Sequence, residues 1–115
     1  MKQLIESLTV AEYGRDVLLK CRAAVQAIDP RAEVILYGSR ARGDAAPDSD
    51  YDLLILTDGE SGLDREDRFR QSLFPIELET GCVLTVMLVN RSDWNSPLYD
   101  SMPFYRNVKR EGILV

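Results

Sequence analysis

Gly38-Ser39 is followed, after ten residues, by Asp50-Tyr51-Asp52. Glycine has no Cβ, so a polyphosphate can approach the backbone closely at Gly38. Ser39 adds a hydroxyl donor and, at the start of a short helix, free amides that favour anions. Arg40 and Arg42 offer guanidinium forks that match phosphate oxygens. Asp50 and Asp52 stand two apart, so on a strand they project from one face. Neighbouring carboxylates repel each other unless a cation lies between them. Oxygen-only ligation of that kind suits Mg2+ or Mn2+, completed by substrate phosphates and water. The residue types therefore read as a phosphate turn (Gly38, Ser39, Arg40, Arg42) beside a metal-holding pair (Asp50, Asp52).

Such a site needs two strands ending at the same side of a sheet, and the flanking sequence supplies them. Val34-Ile35-Leu36-Tyr37 is an apolar run entering the glycine, and Tyr51 to Leu56 is a second run, ended by the turn signal Asp58-Gly59. Gly38 to Gly43 reads as a turn leading into a short helix, and Asp44 to Ser49 as a polar loop shaped by Pro47, Asp44 and Asp48. Upstream, Thr9-Val10-Ala11-Glu12 has the form of a capping box. Val10, Tyr13, Val17, Cys21, Ala24 and Ile28 then recur at helical steps, until Asp29-Pro30 stops the helix. Leu63, Phe69, Leu73 and Ile76 predict a helix ending at Gly81, with Asp64, Glu66 and Asp67 at its start and on its polar face. Pro75 is expected to kink that helix or begin a second piece. Cys82 to Val89 is almost wholly apolar and reads as a third, central strand. A last helix is expected from Ser101-Met102-Pro103 to Gly112, with Trp94 and Tyr99 in the connection covering one edge of the core.

Composition narrows the chemistry. The chain has 115 residues, and one domain over 1–115 is expected. It has no histidine, which excludes imidazole general-base chemistry and histidine-built zinc sites. Cys21 and Cys82 are too few for a disulfide framework and read as small buried apolar residues. The net charge of −5 disfavours non-specific nucleic-acid binding, which needs a basic surface to displace counterions. No apolar run reaches the length of a membrane span and no signal-peptide core opens the chain, so no membrane partner and a cytoplasmic location are expected.

Tyr37-Gly38-Ser39-Arg40-Ala41-Arg42-Gly43-Asp44, followed by Pro47-Asp48-Ser49-Asp50-Tyr51-Asp52-Leu53-Leu54-Ile55, resembles the minimal nucleotidyltransferases of the DNA polymerase β superfamily. The stretch from Pro103 to Ile113 is similar to the close of small bacterial members. The resemblance implies an α/β (α+β) fold with a mixed β-sheet and helices packed mainly on one side. It implies that a nucleoside triphosphate, usually ATP, binds with magnesium, and that an acceptor hydroxyl attacks the α-phosphate while pyrophosphate leaves. By that analogy Gly38 and Ser39 contact the β- and γ-phosphates, and Asp50 and Asp52 are the catalytic metal ligands. The family usually carries a third carboxylate on the next strand. Here that strand, Val83 to Leu88, has no acid; Thr85 is the nearest position, and Glu77 or Glu79 of the preceding helix are the alternatives for reaching the site. Small members are often encoded beside a helical HEPN-type toxin, which they neutralise by adenylylation. The resemblance thus implies transfer of AMP to a partner protein or small molecule. The missing acid favours the alternative of a nucleotide-binding antitoxin without turnover.

Overall fold

The computed structural model describes residues 1–115. The elements run β1 (Lys2–Gln3), a single 3-10 turn (Leu4–Glu6), α1 (Glu12–Ile28), β2 (Glu33–Tyr37), α2 (Ser39–Arg42), β3 (Tyr51–Thr57), α3 (Leu63–Thr80), β4 (Leu84–Asn90), α4 (Arg91–Trp94), α5 (Pro97–Ser101), α6 (Pro103–Glu111) and β5 (Ile113–Leu114). One five-stranded sheet has the order β1-β5-β2-β3-β4. β2 is antiparallel to both β3 and β5, whereas β3–β4 and β1–β5 are parallel, so the sheet is mixed.

Strand alternation sorts the apolar side chains into two layers. Val34, Leu36, Leu53, Ile55, Leu84 and Leu88 face Val17, Leu18, Cys21 and Val25 of α1 and Phe69, Leu73 and Ile76 of α3, in the larger cluster. Ile35, Leu54, Leu56 and Val89 face the other way, where Trp94 and Val108 cover them in a smaller cluster. The long helices thus lie on one face, and the short helices after β4 partly cover the other. β3 is almost wholly apolar because both its faces are covered; Asp52 is its one charged residue.

Several expectations are corrected. β4 lies at the sheet edge and is not central. Its apolar run reflects cover on both faces, not a neighbour on both sides. Its outer edge is closed by side chains of α3: Glu77 Oε2 accepts from the Leu84 amide at 2.9 Å, Glu66 Oε2 accepts from the Leu88 amide at 3.2 Å, and Arg70 Nη2 donates to the Val86 carbonyl at 3.4 Å. That occupation blunts an edge that would otherwise template pairing with another chain.

The capping box does not form. Ala11 is the N-cap of α1 and has no side-chain cap bond. The Thr9 hydroxyl instead donates to the Ala41 carbonyl at 2.8 Å, tying the approach to α1 onto the end of α2. Tyr13 leaves the apolar face and is exposed, its hydroxyl donating to the Thr80 carbonyl at 2.9 Å, while Gly14 and Leu18 are buried in α1. α3 runs through Pro75 as one helix. Pro75 is exposed, so the carbonyl it leaves without an amide faces the side where water can serve it. Cys21 is buried as expected, but Cys82 is only half-buried. Trp94 and Tyr99 stand on two short helices and belong to the smaller cluster over one sheet face. The two-residue strands β1 and β5 had no signal in the sequence pattern. No helix is long and apolar enough to cross a membrane.

Candidate active site

β2 and β3 run antiparallel with Tyr37 opposite Asp52, and β4 places Thr85 beside Asp52 on the other side. Three strands therefore bring Tyr37, Asp52 and Thr85 into one row on the sheet face opposite α1 and α3. The Thr85 hydroxyl donates to Asp52 Oδ1 at 2.7 Å, fixing the carboxylate's rotamer. The phenol of Tyr37 is raised above the usual tyrosine range, first by burial and then by the negative charge of Asp52.

The chain leaves β2 through Gly38, whose φ of 76° and ψ of −156° lie in a region open essentially to glycine alone. A Cβ at Gly38 would stand 2.4 Å from Asp52 Oδ2, so the backbone of the turn lies directly against the carboxylate. Ser39 begins α2 and is half-buried. The first amides of a helix have no partner within it, and those of α2 begin at this turn. The sequence-predicted Gly38, Ser39 and Asp52 are thus brought together.

Asp50 is exposed and lies one residue before β3. The ladder already holds there, since the Tyr51 amide donates to the Val83 carbonyl at 2.9 Å. Tyr51 is buried in the larger cluster on the far face. Alternation then gives Asp50 and Asp52 the same side.

The arginines are placed differently from the expectation that both fork onto phosphate. Arg40 Nε and Nη2 donate to the Ser49 carbonyl at 3.2 and 2.9 Å, and Nη2 also donates to the Pro47 carbonyl at 3.1 Å. Its guanidinium lies 4.6 Å from the centroid of the Tyr51 ring. These bonds fasten the loop that delivers Asp50. Arg42 pairs with Asp44 and with Glu111, each at 3.2 Å, which neutralises its charge within the protein.

Neither glutamate considered as a third acid reaches the pair. Glu77 bonds the Leu84 amide, and Glu79 pairs with Lys20 of α1 at 2.6 Å. Both stand on α3, behind the sheet, whereas Asp52 projects from the front. No group of three or more His, Cys, Asp or Glu residues is arranged so that it could hold a metal ion. The oxygen donors placed at the turn are the Asp52 carboxylate and the Thr85 hydroxyl bonded to it, with Asp50 one residue before β3. They fit Mg2+, which binds through one or two carboxylates and takes its remaining ligands from water and phosphate.

Phe104 and Tyr105, beside this row, were not among the residues the sequence pointed to. Phe104 stands edge-on to Tyr37 with ring centroids 5.5 Å apart, and Tyr105 is stacked on Tyr99 at 4.2 Å. The cluster of Tyr99, Phe104 and Tyr105 over seven residues was the available signal, but helical spacing alone does not say which sheet face it covers.

A mixed sheet carrying a glycine-serine turn against a strand aspartate is the arrangement of a nucleotidyltransferase fold. The model of the nucleotidyltransferase domain family matches residues 18–113, and the chain belongs to that family. No curated protein matches the chain. Among solved structures it is similar to the Cid1 poly(U) polymerase with MgGTP bound, at 15% identity over 87% of this chain, with a TM-score of 0.49. The match spans 38% of the polymerase chain.

Proposed function

We propose that residues 1–115 act as one minimal nucleotidyltransferase domain that transfers AMP from Mg-ATP to a hydroxyl of a partner protein, the partner being a HEPN-type toxin neutralised by the modification. The observation that carries nucleotide binding is the close approach of the Gly38 backbone to the Asp52 carboxylate, such that a Cβ at Gly38 would displace Oδ2 from its present position. Membership of the nucleotidyltransferase domain family supports the transfer itself.

In this reading the Gly38-Ser39 backbone and the Ser39 hydroxyl hold the terminal phosphates. Asp50 and Asp52 would hold Mg2+, which when bound would supply neutralisation of the charge that builds on the phosphoryl oxygens. Thr85 keeps Asp52 in one rotamer through its 2.7 Å hydrogen bond. Arg40 acts on the site by fastening the Pro47–Ser49 loop, and Arg42 by anchoring α2 to Glu111. The acceptor oxygen attacks the α-phosphorus, the bond from that phosphorus to the bridging oxygen breaks, and pyrophosphate leaves with the electron pair. The hydroxyl proton passes to solvent. Holding phosphate and acceptor in one geometry supplies much of the acceleration in such transfers.

The test is incubation with ATP labelled at the α-phosphate together with the candidate toxin. Covalent label on the toxin, lost in the Asp50→Asn, Asp52→Asn double variant, is the expected result. Normal Mg-ATP binding by that double variant would overturn the assignment of the pair.

A second reading is a nucleotide-binding antitoxin that docks without turnover. It is favoured by one observation: the group beside Asp52 on β4 is the Thr85 hydroxyl, and Glu77 and Glu79 are engaged elsewhere. Mg-ATP binding without label on any acceptor would select it.

A further inference from the structure

We propose that the ring of Phe104 is the platform on which the purine base of the bound triphosphate stacks. The inference rests on the nucleotide site proposed above and adds the residue that recognises the base.

Tyr37 and Asp52 are direct cross-strand partners, so their side chains share a face. Phe104, in the first turn of α6, stands edge-on to Tyr37, with centroids 5.5 Å apart and planes at 89°. It also meets Tyr105 at 5.1 Å and 81°. Tyr105 is itself stacked on Tyr99 and stands edge-on to Trp94 at 6.3 Å. A chain of rings running back to the buried Trp94 therefore fixes Phe104 before any ligand arrives, which lowers the entropy lost on binding.

Phe104 is nonetheless 40% exposed. The ring belongs to neither core cluster and leaves part of its surface in solvent, one strand spacing plus one ring contact from Asp52. That span is one a nucleoside bridges from a triphosphate held at Gly38-Ser39. A base is flat, apolar on its faces and covalently tied to the phosphates, so it matches both the ring and its distance from the turn. Stacking favours the larger purine surface.

The experiment compares Mg-ATP with Mg-tripolyphosphate, which has no base, by titration calorimetry on wild type, Phe104→Ala and Phe104→Trp. Base stacking on an aromatic ring is worth about 1–3 kcal/mol, or roughly 5- to 150-fold in affinity. Phe104→Ala is expected to lose that factor for Mg-ATP and none for Mg-tripolyphosphate, and Phe104→Trp is expected to keep ATP affinity. Unchanged ATP affinity in Phe104→Ala overturns the platform and leaves the surface to a macromolecular partner. Equal losses for both probes also overturn it, since the ring would then only shape the turn. Failure of the wild-type protein to bind either probe overturns the phosphate site of the preceding section instead. Thermal melts of both variants confirm that each titration reads a folded protein.

Discussion

Replacing Gly38 by alanine tests the contact on which the site is built. Two costs arise from the structure. Holding a non-glycine residue at φ 76° and ψ −156° costs about 1–3 kcal/mol. The new Cβ would lie 2.4 Å from Asp52 Oδ2, so the carboxylate must turn away. Turning breaks its 2.7 Å bond from Thr85, a hydrogen bond to a charged group worth about 1.5–3 kcal/mol. Gly38→Ala should therefore lose about 2.5–6 kcal/mol in the presence of Asp52. In an Asp52→Ala background only the backbone cost remains, because the oxygen it would strike is gone. A double-mutant cycle isolates the difference, about 1.5–3 kcal/mol of coupling. Urea unfolding followed by the fluorescence of Trp94, the single tryptophan and a buried one, gives each corner of the cycle. Gly81→Ala is the control: its φ is 74° but nothing lies within 4 Å of the added Cβ, so it should show only the left-handed cost of about 1–2 kcal/mol. Additivity of Gly38→Ala and Asp52→Ala within about 0.3 kcal/mol would refute the contact.

Other expectations follow from the same geometry. Ser39→Ala should weaken Mg-triphosphate binding by about 1–3 kcal/mol, as for loss of a hydrogen bond to a charged ligand; an unchanged dissociation constant in calorimetry removes Ser39 from the site. Glu66→Ala with Glu77→Ala should free the edge amides of β4 and produce concentration-dependent self-association in light scattering, while a strictly monodisperse double variant would show that those caps do not guard the edge. Burial pushes the Cys21 thiol up to about 12, well above its unfolded value. Below about pH 9 both states keep the proton and the contribution to stability is complete; above it the unfolded chain ionises first, so stability falls by up to about 1.4 kcal/mol per pH unit. Urea midpoints at pH 8.5 and 10 should show that fall in wild type and a shallower one in Cys21→Ala, and equal slopes would contradict the burial of the thiol. In the native protein at pH 8.5, iodoacetamide should alkylate the half-buried Cys82 well before Cys21, as read by mass spectrometry.

Local signals in the chain were enough to place its longest elements. The helical recurrence from Val17 to Ile28, the apolar strands ending at Tyr37 and beginning at Tyr51, and the stops at Gly81 and Gly112 all act over a few residues. They therefore survive into the structure with shifts at the ends. The residues of the turn and of the aspartate pair were likewise named by type and spacing. What depended on distant partners was not legible. Position in a sheet is one case: β4 has the composition of a central strand because two layers cover its faces, and only the tertiary structure shows its outer amides bonded to Glu66 and Glu77.

Side-chain assignment at the site follows the same division. A guanidinium binds whatever acceptor the fold brings near, so the sequence alone could not show that Arg40 would be taken up by the Pro47 and Ser49 carbonyls, or Arg42 by Asp44 and Glu111. Thr9 could cap α1 by its sequence context, but the fold offers it the Ala41 carbonyl instead. The sequence by itself determined the donor and acceptor types, the two strands that carry them and the glycine that lets them approach. Only the tertiary structure decided that Gly38 touches Asp52, that Thr85 bonds it, and that α3 keeps its glutamates behind the sheet. Those outcomes are set by strand register and by the two-residue alternation of faces, which act across the whole fold and leave no mark within any short stretch of chain.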